Sequence, residues 1–420
     1  MANTGISGGD SGFVGIATES IPSGTGTRGA FVVPTDFPPV EAKKVTRKPD
    51  KTALKVHTGS RDTTAIQRNT KYKRAMTFNL ALLGNTGSLL HPAALGGCVW
   101  IPAVASDTIA SITTVNGIST LVLTGGTGSY TLNAWTTLDT GPLWEARQIL
   151  SWTPASKTMT VAALKFAHGA LPAIVQPGQN KISPLSSTGG YSNALRSVSI
   201  ENNVGGLYSQ QYPDALITKQ TFKASKDKID VAYDFNFSAT PTRPAIPTAY
   251  VRPADLDFRT PYSYNDGFIV VNADTLASGA SAFQQVLVST DWTVTLMNKL
   301  DEHALNDNTD TYRYWPVGER TVTVDYSLLQ AANRPAGYED TLIKNVESPF
   351  MASYAQNVGT VATPVLQAFG LVIPNVHWED ADEIDTLDVS IAEKLPGTAR
   401  SNGSQDILDY FIVNNATAAF

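Results

Sequence analysis

Apolar and polar residues alternate along most of the chain with a period of two. AMTFNLALLG (75–84), ITTVNGISTLVLTGGTGSYTLNAW (112–135), KTMTVAAL (157–164) and ALRSVSIEN (194–202) carry this pattern, followed by KIDVAYDFNFSAT (228–240), DWTVTLMNKL (291–300), RTVTVDYSLL (320–329) and TLDVSIAEKL (386–395). Thr, Val, Ser and aromatic residues fill these runs, and Gly, Pro, Asn or Asp bound them. Antiparallel strands with one buried face are predicted. TGGTGSY (124–130) predicts a tight hairpin turn. Helical patterns are few and short. PAALGG (92–97) predicts one or two turns closed by glycine. PDALITKQTF (213–222) predicts a short helix running into a strand, whereas ADTLASGASAFQQVLV (273–288) and DILDYFIVNN (406–415) fit a strand or a helix equally. The expected fold class is mainly β with few short helices.

The Gly/Ser/Thr-rich residues 1–30 lack periodicity and predict a flexible N-terminal arm. Proline-rich joints at 242–261 and near 374 suggest a soft boundary near 250. The expected units are then a first β unit over 31–250, with an extra β domain at 100–190, and a second β unit or completion of the first over 251–420. MTFNLALLGN (76–85) echoes VTLMNKLDEH (294–303), and RSVSIENNVG (196–205) echoes DWTVTLMNKL. A duplicated β unit and two strands of merely similar composition explain these echoes equally well.

Charge changes the picture. Only 16% of the 420 residues are charged, against a usual figure of about 25%. A surface poor in charge suits extensive protein contact, because few charges need desolvating. The formal net charge is −6, opposite in sign to a protein built to grip nucleic acid. What charge there is segregates. Residues 43–74 carry eleven basic residues against Asp50 and Asp62, and residues 379–409 carry nine acidic residues against Lys394 and Arg400. In a homo-oligomer the basic part of one copy can meet the acidic part of the next. The opening MANTGISGGD has no basic n-region or apolar h-region, and no run reaches 18 apolar residues, so neither a secretory leader nor a membrane anchor is expected.

Candidate chemistry is sparse. GDSG (9–12) resembles the nucleophile loop of trypsin-like proteases, but no histidine or aspartate of a triad precedes it. GGTGS (125–129) lacks the GK[ST] of a phosphate loop. His57, His91, His168, His303 and His377 stand far apart in sequence, and Cys98 is the sole cysteine, which removes an intrachain disulfide. NDNTDT (306–311) lacks the glycine and terminal glutamate of a calcium hand. WEDADEIDTLD (378–388) is acidic enough for a cation or for acid–base work, yet no fixed apolar environment is legible around it, so a solvated face or subunit contact is favoured. The basic run 43–74 has Tyr72 alone as an aromatic, which makes a poor stacking platform for nucleic acid. Neither catalysis nor a cofactor nor a metal site is expected.

Three segments carry a family resemblance. These are KYKRAMTFNLALLGN through HPAALGG (71–97), LRSVSIENNVGG through KDKIDVAYDFNF (195–237), and DWTVTLMNKLDEH through YRYWPVGERTVTVDYSLL (291–329). In their order of strands, turns and acidic or amide pairs they resemble the major tail tube proteins of long-tailed bacteriophages. The resemblance spans roughly residues 30–400. It implies an antiparallel β-sandwich or barrel tail-tube fold, here either duplicated or with an inserted β domain, since compact members are shorter.

The resemblance further implies a structural virion protein of the tail, assembled in the host cytoplasm. It would polymerise into stacked rings that later conduct DNA at genome ejection. Rings would be hexamers, or trimers if the unit is duplicated. Partners would be the tape-measure protein, the tail terminator and the tail-tip proteins, with only transient, non-specific DNA passage. An inner sheet is expected from 75–84, 194–202, 228–240, 291–300 and 320–329. Candidate inter-subunit contacts set Lys43, Lys44, Arg47 and Lys48 against Glu379, Asp380, Asp382 and Glu383. The alternative is a virion decoration protein or a carbohydrate- or receptor-binding β module, with Trp100, Trp135, Trp144, Trp152 and Trp315 as stacking platforms.

Overall fold

The computed structural model describes residues 12–21, 25–57, 63–85, 87–115, 117–125, 128–169, 172–185, 195–204, 208–224, 228–244, 248–249, 261–263, 266–274, 282–286, 289–305, 310–329, 347–379, 392–401, 406–414 and 416–417. The chain is mainly β. Its first strands are β1 (Phe13–Ile21), β2 (Thr25–Gly26), β3 (Val40–His57) and β4 (Thr63–Ala81), followed by α1 (Leu90–Leu95) and β5 (Val99–Ile101). Then come β6 (Val104–Val115), β7 (Ile118–Leu123), β8 (Trp135–Leu138), β9 (Glu145–Thr153), β10 (Thr158–Ala162), β11 (Ala173–Gln176) and β12 (Gln179–Ile182). After these run β13 (Ser197–Val204), β14 (Tyr208–Ala224), β15 (Ile229–Phe237), β16 (Gly267–Asp274), β17 (Ala282–Val286) and β18 (Ser289–His303). The last are β19 (Arg313–Leu329), β20 (Ser348–Asn357), β21 (Leu366–Trp378), β22 (Ala392–Ala399) and β23 (Asp409–Val413).

Among the described residues, β6 to β11 close a six-stranded barrel in the order β10-β7-β6-β11-β8-β9, and the other seventeen strands form one large unclosed sheet. The alternation read from sequence is what builds them. In β15, Ile229, Val231, Tyr233, Phe235 and Phe237 are all fully buried, with half-buried residues between them. Each such side chain contributes ~1.5–3 kcal/mol of burial free energy. The helix α1 is buried along its whole length and ends at Gly96, whose φ of 97° suits glycine and whose N–H donates to the Pro92 carbonyl at 2.7 Å.

The barrel has its own apolar centre, including Leu121, Leu138, Ile149, Met159, Val161 and Ile174. It rests on the large sheet. Trp135 is fully buried there and its Nε1 donates to the Phe411 carbonyl at 3.1 Å. Val270, Met351, Val372 and Phe411 of the sheet pack with Ala146 and Leu150 of the barrel.

Several sequence expectations change. The flexible arm expected over 1–30 does not extend through 13–21. These residues form β1, antiparallel to β13, with Val14, Ile16 and Ala17 buried. The rest of the expected arm up to residue 11 lies outside the described residues. TGGTGSY is not the turn of a hairpin, because β7 pairs with β6 and β10 while β8 pairs with β9 and β11. The tight turn of this region joins Val115 to Ile118 instead, where Gly117 takes φ 75°.

PDALITKQTF forms no helix and is strand throughout. Asp214 has a left-handed φ of 54° at a bulge against β13, and its N–H donates to the buried Glu19 carboxylate at 3.1 Å. Within 273–288, residues 282–286 are strand β17, and 275–281 lie outside the described residues. DYFIV in 406–415 is strand β23, buried on both faces between β12 and β21.

Candidate assembly surface

Seven strands lie side by side in the order β3-β4-β15-β14-β18-β19-β22. Directly opposed residues share a face of a sheet, so the ladders define rows across it. One face is apolar, as in the row Leu80-Val231-Phe222-Val294-Val324, and all five are buried. The other is polar. One of its rows is Lys44-Thr77-Asp234-Lys219-Met297-Thr321, and another is Asn79-Ala232-Thr221-Thr295-Thr323-Thr398. Thr77 Oγ1 donates to Asp234 Oδ1 at 2.6 Å across this face. Its charges balance locally, with Lys44, Lys219 and Lys223 beside Asp230, Asp234 and Asp325. Of the five segments expected in an inner sheet, four supply strands of this row. The fifth, 194–202, does not: β13 pairs with β1 and the first part of β14 and is buried on both faces up to Asn203.

The large sheet contains two halves with one pairing scheme. In the first half the ladders are β2–β1, β1–β13, β13–β14, β14–β15, β15–β4 and β4–β3. In the second they are β17–β16, β16–β20, β20–β21, β21–β22, β22–β19 and β19–β18. All are antiparallel and occur in the same chain order. Irregularities coincide as well. The β3–β4 ladder shifts register at Val40/Ala42 and Pro49/Lys51, and β18–β19 shifts at Ser289/Asp291 and Asn298/Leu300, so both shifts recur 249 residues on. The β13–β14 ladder shifts at Val198/Ile200, and β20–β21 shifts 150 residues on at Ser348/Phe350.

The first half meets the second edge to edge, residues 219–224 of β14 pairing with 297–292 of β18. The sequence echo of β4 with β18 is therefore misaligned. By pairing, β4 corresponds to β19, β3 to β18 and β13 to β20.

The candidate contact residues fall at the end of this row. Among the described residues, β3 is paired on one edge only, with β4. Lys43, Lys44, Arg47 and Lys48 lie consecutively exposed along it with Val45 and Thr46, so both faces of the strand are open there. Lys43 Nζ donates to Asn202 Oδ1 at 2.7 Å, and partial burial lowers its pKa. Arg47 lies over the Tyr72 ring at 3.7 Å from its centroid, and Arg74 approaches the same ring at 5.4 Å. Arg74 is buried and pairs with Asp310 at 2.7 Å; Arg47 reaches the same carboxylate at 3.8 Å. This holds Asp310 well below the usual carboxylate range, at about 2, chiefly through the Arg74 hydrogen bond. Tyr72 therefore lies against two guanidinium groups that share one carboxylate, a contact that the basic run alone did not disclose.

Glu379 is exposed just past β21; its N–H donates to the Pro396 carbonyl at 2.9 Å and its Oε1 accepts from Thr398 at 3.3 Å. Asp380, Asp382 and Glu383 lie outside the described residues.

The other candidate groups are absorbed by packing. His91 sits fully buried against Phe222, Phe369 and Tyr410, which pushes its pKa down to about 3, and Gln220 Nε2 lies 3.1 Å from its Nδ1. His168 is clamped in the barrel between Asp139 at 3.1 Å and Glu145 at 2.6 Å. Cys98 is half-buried, its thiol donating to Asn180 Oδ1 at 3.3 Å. Of the candidate stacking tryptophans, Trp135 is buried, Trp152 packs edge-on against Tyr130, and Trp315 is about half exposed beneath Arg28. Among the described residues no three His, Cys, Asp or Glu side chains converge as a metal site would require. No helix among the described residues is long and apolar enough to cross a membrane. No family model matches the chain, and no curated protein matches it either.

Proposed function

We propose that the chain is the repeating subunit of a tube: a structural virion protein that polymerises into stacked rings, as the major tail tube proteins it resembles do. One observation carries this reading. Two halves with the same ladder scheme are joined edge to edge inside one chain, and the edge of β3, uncovered among the described residues, is the counterpart of the β18 edge that β14 covers. A junction used once within the chain can be used again between chains. Such a head-to-tail contact joins different surfaces and closes into a ring when its rotation permits. With two units per chain, six units need three copies. Closure also removes the exposed edge, which otherwise invites misassembly.

The polar face suits the wall of a conduit. DNA is held through phosphate contacts that release counterions, and a basic wall would retain it. A face of threonines with alternating lysine and aspartate offers no such net positive track. The tape-measure protein would occupy the lumen during assembly, and the terminator and tail-tip proteins would cap the ends. The closed barrel, resting on the sheet through Trp135 and Gln148, would project from the tube wall.

Electron microscopy of the purified chain at high concentration, with rotational averaging of end-on views, tests the proposal. Hollow tubes of stacked rings with threefold or pseudo-sixfold symmetry are expected. Closed shells, or discrete trimers that never stack even when tail-tip complex is supplied as initiator, would overturn it in favour of the decoration reading.

A further inference from the structure

We propose that the cleft between the barrel and the large sheet binds a neutral saccharide, held by Asp266, Lys165 and Trp144. The inference goes beyond the tube reading and does not depend on it. The cleft has a volume of about 500 Å³. That is within the range of small-ligand sites, which favour the seam between two packed units. Its barrel wall is residues 144–147, at the start of β9, and 163–166, past β10; its sheet wall is 266–268 and Ala355.

Hydrogen bonds within the walls fix their shape. Glu145 Oε2 accepts from the Lys165 N–H at 3.0 Å; its Oε1 accepts from the Phe166 N–H at 3.3 Å and lies 2.6 Å from His168 Nε2. Arg147 pairs with Glu145 at 2.6 Å. Its Nε and Nη2 donate to the Ala163 carbonyl at 3.1 and 2.9 Å, and its Nη1 donates to the Ala146 carbonyl at 2.8 Å. On the sheet side, Asp266 Oδ2 accepts from the Ser263 N–H and hydroxyl at 2.9 and 2.8 Å and from Gln356 Nε2 at 2.9 Å. Three groups of the lining stay open. Among the described residues, Asp266 Oδ1, Lys165 Nζ and Trp144 Nε1 make no hydrogen bond. Walls already in place lower the ordering cost of binding.

The open groups select the ligand. An ammonium and an indole N–H donate, and a carboxylate oxygen accepts, so the partner must offer both hydroxyl hydrogens and hydroxyl oxygens. Trp144, Phe166 and Phe268 are half-buried and present rings to the C–H face of a pyranose. An apolar ligand would strip water from Asp266 and Lys165 without replacing it. A cation would meet charge already in place: Lys165 Nζ lies 5.6 Å from the Phe166 ring centroid and the Arg147 guanidinium 5.4 Å from that of Phe268. An anion would find Arg147 engaged by its protein partners, with the Glu145 and Asp266 carboxylates in the same lining. A polyhydroxyl compound without net charge satisfies the donors, the acceptor and the rings together.

Saturation-transfer NMR on the full chain tests this, with maltose, cellobiose, lactose and diacetylchitobiose as probes and choline and sialic acid as charged controls. At least one of the disaccharides should receive saturation. Asp266→Asn keeps an acceptor oxygen for Ser263 and Gln356 but turns the open oxygen into an amide. It should weaken binding about tenfold, as loss of one charge-assisted hydrogen bond does. Trp144→Ala should weaken it about tenfold or more, whereas Trp315→Ala, at an exposed ring outside the cleft, should leave it unchanged. Because the ligand carries no charge, its affinity should hold from about 0.05 to 0.5 M sodium chloride. Should Trp144→Ala fail to fold, Lys165→Ala decides, since Lys165 is exposed; it should weaken binding by about fivefold. No saturation of any disaccharide, binding that is unchanged by Asp266→Asn and Lys165→Ala, or binding of choline or sialic acid alone would overturn the proposal.

Discussion

Lys43 and Trp292 hold the same place in two matching hairpins. Lys43 opposes Phe78 and Trp292 opposes Tyr326, each two residues past a register shift. Each also donates to the strand behind it: Lys43 Nζ to Asn202 Oδ1 and Trp292 Nε1 to Tyr354 Oη, both at 2.7 Å. The indole is buried because β14 covers its edge, whereas among the described residues no strand covers the β3 edge at which the lysine stands. Trp292→Ala should therefore cost the isolated chain about 3–5 kcal/mol, as for other buried aromatics. Lys43→Ala should change monomer stability by no more than about 0.5 kcal/mol, as surface substitutions do. Chemical denaturation of the two monomeric variants compares them directly. The lysine variant should show its defect only in assembly, followed by light scattering.

Arg47 and Arg74, paired with Asp310, and Tyr72, bridged to Thr311, tie the hairpin β3–β4 to the strand that begins at Arg313. Arg74→Met removes the paired charge beside Asp310 and the buried contacts to Thr311. A loss of about 1–3 kcal/mol is expected from the charge-assisted hydrogen bonds, read as a fall in the thermal midpoint. Asp310, freed of Arg74, should titrate nearer the ordinary carboxylate range, which carbon-detected NMR would follow. Its depressed folded pKa means that the pairing contributes above the ordinary value and is lost as pH falls through about 2.

The barrel and the large sheet touch where a glycine is required. A Cβ on Gly370 would collide with the Gln148 amide, which also hydrogen-bonds Ser353 and, through Nε2, the Asn133 carbonyl at 2.8 Å. Gly370→Ala should cost about 1–3 kcal/mol by overpacking. Hydrogen exchange should report new opening at β9 and β20 first, with the far side of the barrel, at β7 and β10, unchanged.

Asp409 is buried beside Lys181, at 3.1 Å, and near Asp406. Burial, opposed by the lysine, raises its pKa to about 6. The folded state thus holds the proton more tightly than the unfolded chain. This stabilisation is fully present below the ordinary carboxylate pKa and is lost as pH rises through about 6. Asp409→Asn should remove that slope, which amounts to about 2–3 kcal/mol for a shift of roughly two units. Urea midpoints of both proteins measured from pH 4 to pH 7 check it: the parent's should fall across this range more steeply than the variant's.

Sequence alone disclosed the strands but not their neighbours. Alternation in 228–240 located β15, because each buried residue there faces one continuous core. The same alternation cannot say which strand lies beside it, since antiparallel neighbours are set by long-range ladders. This is why the echo aligned β4 with β18, two similar amphipathic runs, when pairing aligns MTFNLA with VDYSLL of β19. β1 was hidden among glycines and serines, although Val14, Ile16 and Ala17 fill the core beside β13. The helix expected near Asp214 failed because its carboxylate and N–H serve Arg28 and Glu19, distant partners that local propensity does not register. Charge segregation was legible as composition. That Lys43 and Arg47 occupy the face where β18 carries Trp292 and Leu296 was not, because it needs the register.

The two junctions should respond differently to salt. At 0.1 M ionic strength the Debye length is about 10 Å, and at 1 M about 3 Å, so exposed opposite charges attract strongly only in dilute salt. The β14–β18 junction buries Phe222, Val294 and Leu296 and lies within the chain, so the monomer's thermal midpoint should scarcely move between these conditions. A β3 edge carrying Lys43, Lys44, Arg47 and Lys48 should join an acidic strand more slowly as salt rises, by about 10-fold or more if steering dominates encounter. Elongation rates from light scattering, measured from 0.05 to 0.5 M sodium chloride by seeding with preformed ends, separate the two. A rate that rises with salt would indicate an apolar junction and would remove the ionic role assigned to the β3 edge.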